Sequence, residues 1–214
     1  TAAQMTRTVR VYNATIATHM NDTTASPSGG FGTYLQRQIN AEYVAPSSLL
    51  VGNNIDSITL QLRKNGSPTG TAEIGVFNTD LSVKKLFGTK DASSLTALYT
   101  NYPFSLLSGQ MYQIQSGDRI GIKFTGGNST NNIGVMRDLD VADPFDGVNS
   151  YHTYRTTLWA NVTSDDLYMI LKGNSTNIGD TTPPVITLLG SNPVSVQMNS
   201  SYLDAGATAM DNRG

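Results

Sequence analysis

The chain of 214 residues has a formal net charge of −2, no cysteine, and charged side chains at only 14% of its positions. That excludes disulfides, thiolate metal sites and cysteine nucleophiles, and leaves no basic stripe for nucleic acid. No apolar run is long enough for a membrane-spanning helix. The chain starts at Thr1 rather than Met. It is expected to be a processed or trimmed form, so the lack of a visible signal peptide carries no weight. Thr (26), Ser (20), Asn (18) and Gly (20) dominate, and 14 of the 16 acids are Asp. Thr favours strands and Asp favours turns, whereas Glu favours helices.

Period-two alternation recurs along the chain. "TRTVRVYN" (6–13) and "YLQRQINAEYVA" (34–45) open it. "DSITLQLRK" places Ile58, Leu60 and Leu62 on one face, and "TAEIGVFN" does the same with Ala72, Ile74 and Val76. The loop "NGSPTG" between them predicts a hairpin. "SVKKLFGTKDASSL" (82–95) is the one helical candidate, but it is short and interrupted by Gly88, so a turn or loop is expected there. "MYQIQSGDRIGIKFTGGN" reads as a short strand, a turn at 116–118, and a strand with Ile120, Ile122 and Phe124 inward. "NIGVMRD" continues with Ile133 and Val135, followed by "YHTYRTTLWANV". "DLYMILKG" buries Leu167, Met169 and Leu171. Eight to ten strands precede residue 173. About 170 residues exceed a simple immunoglobulin sandwich of about 100. The expected fold is all-β, with a jelly-roll-like β-sandwich over residues 1–173.

"RDLDVADPFDG" concentrates Asp138, Asp140, Asp143 and Asp146 within nine residues. Such a loop either wraps Ca²⁺, which takes six to eight hard oxygens, or is a solvated turn. Tyr151, Tyr154, Arg155 and Trp159 have the chemistry of a sugar platform. Alternation sets Tyr154 and Trp159 on opposite faces, and core packing is the competing role. The pattern Asn-x-Ser/Thr occurs at Asn13, Asn21, Asn65, Asn128, Asn161, Asn174 and Asn199. These are glycosylation candidates, although a chain this rich in Asn, Ser and Thr also forms the pattern by chance. His19 and His152 are isolated, no nucleophile-elbow pattern is present, and nothing singles out a carboxylate pair around Glu42 or Glu73. No catalytic residue is expected.

Residues 174–184, "NSTNIGDTTPP", read as a linker. Beyond it come Pro183-Pro184, Val185-Ile186, Leu188, Gly190, Pro193-Val194 and Val196, then "SYLDAGATAMDN". This resembles the first half of the immunoglobulin-like repeats found in tandem in prokaryotic cell-surface proteins. Tyr202, Asp204, Gly206, Ala207, Ala209, Asp211 and Asn212 carry the match. Residues 185–214 are too few for a whole repeat. Either the rest lies in a longer chain, or a neighbouring subunit completes the fold. More loosely, "LVGNNIDSITLQLRKNGSPTGTAEIGVFN", "SGDRIGIKFTGGN" and "DPFDGVNSY" resemble modules of archaeal secreted and surface-layer proteins. The resemblance implies a secreted, cell-surface location and a structural or adhesive role without catalysis. Its expected partners are other copies, neighbouring surface proteins or glycans. A carbohydrate-binding module of a larger secreted enzyme or adhesin is the alternative.

Overall fold

The computed structural model describes residues 16–23, 30–139, 145–174, 185–191, 195–203 and 205–210. The chain divides into two compact units, 1–176 and 177–214, and the division falls within the segment 174–184. In the first unit β1 (Ile16–Asp22), β2 (Phe31–Thr33), β3 (Ile39–Val44), β4 (Asn54–Ile55), β5 (Ser57–Asn65) and β6 (Thr71–Phe77) come first. Next are β7 (Val83–Asp91), β8 (Thr100–Ser105), β9 (Tyr112–Gln113), β10 (Arg119–Lys123) and β11 (Asn132–Val135). β12 (Arg137–Asp138), β13 (Ser150–Arg155), β14 (Trp159–Val162), β15 (Asp166–Leu167) and β16 (Met169–Asn174) complete it. Among the described residues two short 3₁₀ turns interrupt the strands, and no helix is long and apolar enough to cross a membrane.

The unit is an all-β sandwich. One sheet is built around β5, which carries β8 along one edge. On its other edge β16 covers the first half and β11 the second, and these in turn hold β1 and β2. The second sheet runs β14-β13-β3-β10-β6-β7, antiparallel throughout. Between the sheets lie Ile58, Leu60 and Leu62 of β5, Ala72, Ile74 and Val76 of β6, Ile120 and Ile122 of β10, and Met169 and Leu171 of β16, all fully buried. Each such aliphatic side chain of Val size or larger contributes about 1.5–3 kcal/mol. Phe124, Ile133, Val135 and Leu167 join the same core, as alternation predicts.

Three expectations are corrected. β5 and β6 do not form a hairpin: they pair only within opposite sheets, and residues 66–70 cross between them. Both strands bury a full apolar face, and placing one in each sheet lets Ile58–Leu62 and Ala72–Val76 pack in the same core. Gly66 (φ 62°) and Gly70 (φ 108°) give the crossing its left-handed bends. The segment 82–95 is not a loop but β7 followed by a single 3₁₀ turn. Two register shifts against β6 blur its alternation, so only Phe87 reads as inward. "YHTYRTTLWANV" is also two strands rather than one, because β13 and β14 pair around a bend at 156–158. β8 was not expected: it turns Tyr102 and Phe104 to the core, and Pro103, between them on the exposed side, suits its place on a sheet edge.

In the second unit β17 (Val185–Leu188) pairs with β18 (Ala207–Met210), and Leu189 N donates to Gly206 O at 2.9 Å. Residues 195–203 hold no strand. Val185, Ile186, Leu188, Leu189, Met198 and Leu203 are all exposed. Asp204, Asp211 and Asn212, part of the repeat-like pattern, lie outside the described residues.

Candidate functional site

Alternation puts residues 40, 42 and 44 of β3 on the inward face, where apolar side chains belong. The residues there are Asn40, Glu42 and Val44, all fully buried. Glu42 stands in register between Ile120 of β10 and His152 of β13. Three more acids reach the same region. Asp22 ends β1 opposite Met169 of β16, and Asp138 and Asp166 oppose each other across the β12–β15 pair. Relative exposures are 5% for Asp22, 0% for Glu42, 3% for Asp138 and 2% for Asp166. Like charges directly opposed on one sheet face destabilise a strand pair, so something must relieve them.

Backbone donors relieve part of the charge. Leu167 N donates to Glu42 Oε2 at 2.9 Å, and Phe145 N donates to Asp166 Oδ2 at 3.0 Å. Glu42 Oε1 and Asp22 Oδ2 are buried and accept no hydrogen bond. Asp22 lies within hydrogen-bond reach of Asp138 and Asp166, and Glu42 within reach of Asp166. Burial first, then contact with Asp138 and Asp166, raises the Asp22 carboxyl to about 8. Burial likewise pushes Glu42 well above the carboxylate range, and it also raises Asp166. No lysine or arginine is among the main influences on these three groups. Other buried acids are treated differently. Asp118 accepts from Lys84 Nζ at 2.6 Å, Tyr112 Oη at 2.7 Å and Gln115 N at 2.8 Å, and Asp165 pairs with Arg137 at 2.5 Å.

Next to Glu42 in the same sheet, His152 is fully buried, with Phe31 edge-on at 5.2 Å. Its Nε2 lies 3.0 Å from Asn40 Oδ1, while Asn40 Nδ2 donates to Thr33 Oγ1 at 2.7 Å. Asn40 Oδ1 can only accept, so His152 carries its proton on Nε2. Burial, then the charges of Arg137 and Arg37, lowers the imidazole to about 3. It is a neutral structural histidine.

Of the four acids that were calcium candidates, Asp138 belongs to the buried cluster. Asp146 anchors a loop instead: Oδ2 accepts from Ser48 Oγ (2.7 Å) and Leu49 N (3.0 Å), and Oδ1 from Ser150 Oγ (2.6 Å). Asp140 and Asp143 lie outside the described residues. Among the described residues no three His, Cys, Asp or Glu side chains already stand as a metal-ligand group. Sequence reasoning missed Asp22, Glu42 and Asp166. The one legible signal was Glu42 at an inward position of "INAEYVA".

Tyr151, Arg155 and Trp159 share the outer face of the second sheet, and Tyr154 lies on the other. Trp159 packs against Ile39, Ala41 and Phe77, donates Nε1–H to Thr79 O at 2.9 Å, and has the Arg119 guanidinium 4.4 Å from its ring. Tyr151 lies 5.1 Å from Tyr43, and Arg119 also covers Tyr43 at 5.0 Å. Tyr154 instead meets Phe31 at 4.9 Å and Arg37 at 5.0 Å. Among the glycosylation candidates, Asn21, Asn128, Asn161 and Asn199 are exposed. Asn65 is partly buried and donates to Asn132 Oδ1 at 2.7 Å. Asn13 and the Asn174 side chain lie outside the described residues. No family model, curated protein or solved structure matches this chain.

Proposed function

We propose that this chain is a non-catalytic structural or adhesive module of a secreted cell-surface protein, acting by association with other copies or with neighbouring surface proteins. The observation that carries the reading is the β17–β18 hairpin. Its apolar residues Val185, Ile186 and Leu188 are 66%, 63% and 58% exposed, more than an isolated two-stranded ribbon sustains in water. Among the described residues the pair forms a sheet of two strands alone, and edges of such a sheet pair with further strands. The cell-surface location is supported by the resemblance of residues 180–212 to surface repeats. Sedimentation velocity over a range of concentrations tests the association. The chain self-associates, and Ile186→Asp with Leu188→Asp makes it monomeric without lowering the melting midpoint of the sandwich. A wild-type chain that stays monomeric at every concentration removes the support.

A second reading is glycan binding, favoured by Tyr43, Tyr151, Arg119 and Trp159 on one sheet face. A glycan array separates the two: selective binding lost in Tyr151→Ala favours this alternative.

A further inference from the structure

We propose that Asp22, Glu42, Asp138 and Asp166 form a calcium site that ties β1 and β3 to the β12–β15 pair. The four carboxyls come from separate strands to one buried region. The state of their oxygens separates this cluster from an ordinary run of acids. Glu42 Oε1 and Asp22 Oδ2 lie wholly inside and accept from no amide, hydroxyl or basic group; the side chains within reach of these two carboxyls are other acids. A buried carboxylate oxygen in that condition is held by a proton on the group or by a cation, since ionised and bare it costs several kcal/mol. Elsewhere in the unit a basic side chain does this: Lys84 for Asp118, Arg137 for Asp165. No such side chain is among the main influences on Asp22, Glu42 or Asp166, and the acids there face one another.

The donor set selects the ion. It consists of oxygen alone, without imidazole or thiolate, and so suits a hard cation rather than zinc or copper. Calcium accepts six to eight oxygens in irregular geometry, including bidentate carboxylates. Magnesium demands near-octahedral coordination and keeps several waters, which suits a buried all-protein set poorly. In the arrangement described no three of these carboxyls stand as a ligand group, and Asp22 approaches Asp138 and Asp166. Binding exchanges those contacts for oxygen–ion distances of about 2.3–2.6 Å.

Calorimetric titration of the chelator-treated chain with calcium chloride at neutral pH tests the site. The expected result is one ion per chain and a melting midpoint that rises with calcium but not with equal magnesium. Glu42→Gln and Asp22→Asn each weaken binding by at least about tenfold. Should Glu42→Gln fail to fold, Asp22→Asn, at the end of an edge strand, decides alone. Two results overturn the proposal. One is no uptake at about 10 mM calcium, above the range of weak extracellular calcium modules. The other is uptake that the folded variants leave unchanged.

Discussion

Without a cation, the buried acids give this fold an unusual pH dependence. Asp22 is held at about 8 against its usual 3.8. Between those values the folded chain keeps a proton that the unfolded chain has lost. Stability is therefore fully present below the unfolded value and falls as pH rises toward 8, by about 1.4 kcal/mol per pH unit for one proton. His152 works in the opposite direction. Its folded value is about 3 against 6.5, so below pH 6.5 the unfolded chain binds the extra proton and stability falls as pH drops. The two slopes nearly cancel from pH 4 to 6.5, and above 6.5 only the acid slope remains. Integrated from pH 6.5 to 8, Asp22 alone removes about 1.5 kcal/mol. Glu42 and Asp166 are shifted in the same direction. Asp22→Asn keeps the shape and has no proton to lose. Urea unfolding in chelator at pH 6.5, 7.2 and 8 measures the slope. The variant should be flatter than wild type, and about 1.5 kcal/mol better off at pH 8 once the two are matched at pH 6.5. A wild-type stability that stays level or climbs over this interval, or an unchanged slope in the variant, refutes the reasoning.

Asp118→Asn removes the charge that Lys84 meets at 2.6 Å and Tyr112 at 2.7 Å, so urea melts should show a loss of about 2–4 kcal/mol. Gly75→Ala sets a Cβ 2.2 Å from the Lys85 carbonyl oxygen, and the rigid bulge makes this a loss of about 2 kcal/mol or more. At Gly117 an added Cβ meets nothing within 4 Å, and only its φ of +87° opposes alanine, so Gly117→Ala should cost about 1–2 kcal/mol by the same assay. Leu60→Ala in the centre of β5 should cost about 3 kcal/mol, read from the urea midpoint.

The core was legible in the sequence where alternation was clean. Ile58, Leu60 and Leu62, Ile120 and Ile122, and Leu167, Met169 and Leu171 all face inward as their spacing requires. β7 was hidden because two register shifts break the period, and β8 because Pro103 stands between its two inward residues, Tyr102 and Phe104. The β5–β6 loop was misread because Gly and Pro in a short connection mark a turn without saying which sheet the chain enters next. The acid cluster was half legible. Asp138 was noticed for its dense neighbours in sequence, yet in space it also meets Asp22 and Asp166, and these in turn meet Glu42. Only the closing of the two sheets brings those together, and no linear spacing encodes it.

The crossing of residues 66–70 from one sheet to the other also governs how this unit can fold. A chain whose successive strands paired as hairpins would gain contacts locally. Here β5 and β6 share no hydrogen-bonded ladder, and the central strand waits for β8, β11 and β16. The first described strand waits longest, since residue 16 pairs with residue 174. Loop-closure entropy must therefore be overcome before most contacts form, and the unit belongs among slow, high-contact-order folders. During synthesis it stays open until β16 has emerged, with the apolar faces of β5 and β6 exposed for that interval. For a chain that has to be threaded across a membrane before folding, that delay is an advantage; for one kept at high concentration in the unfolded state, it is the window in which it aggregates.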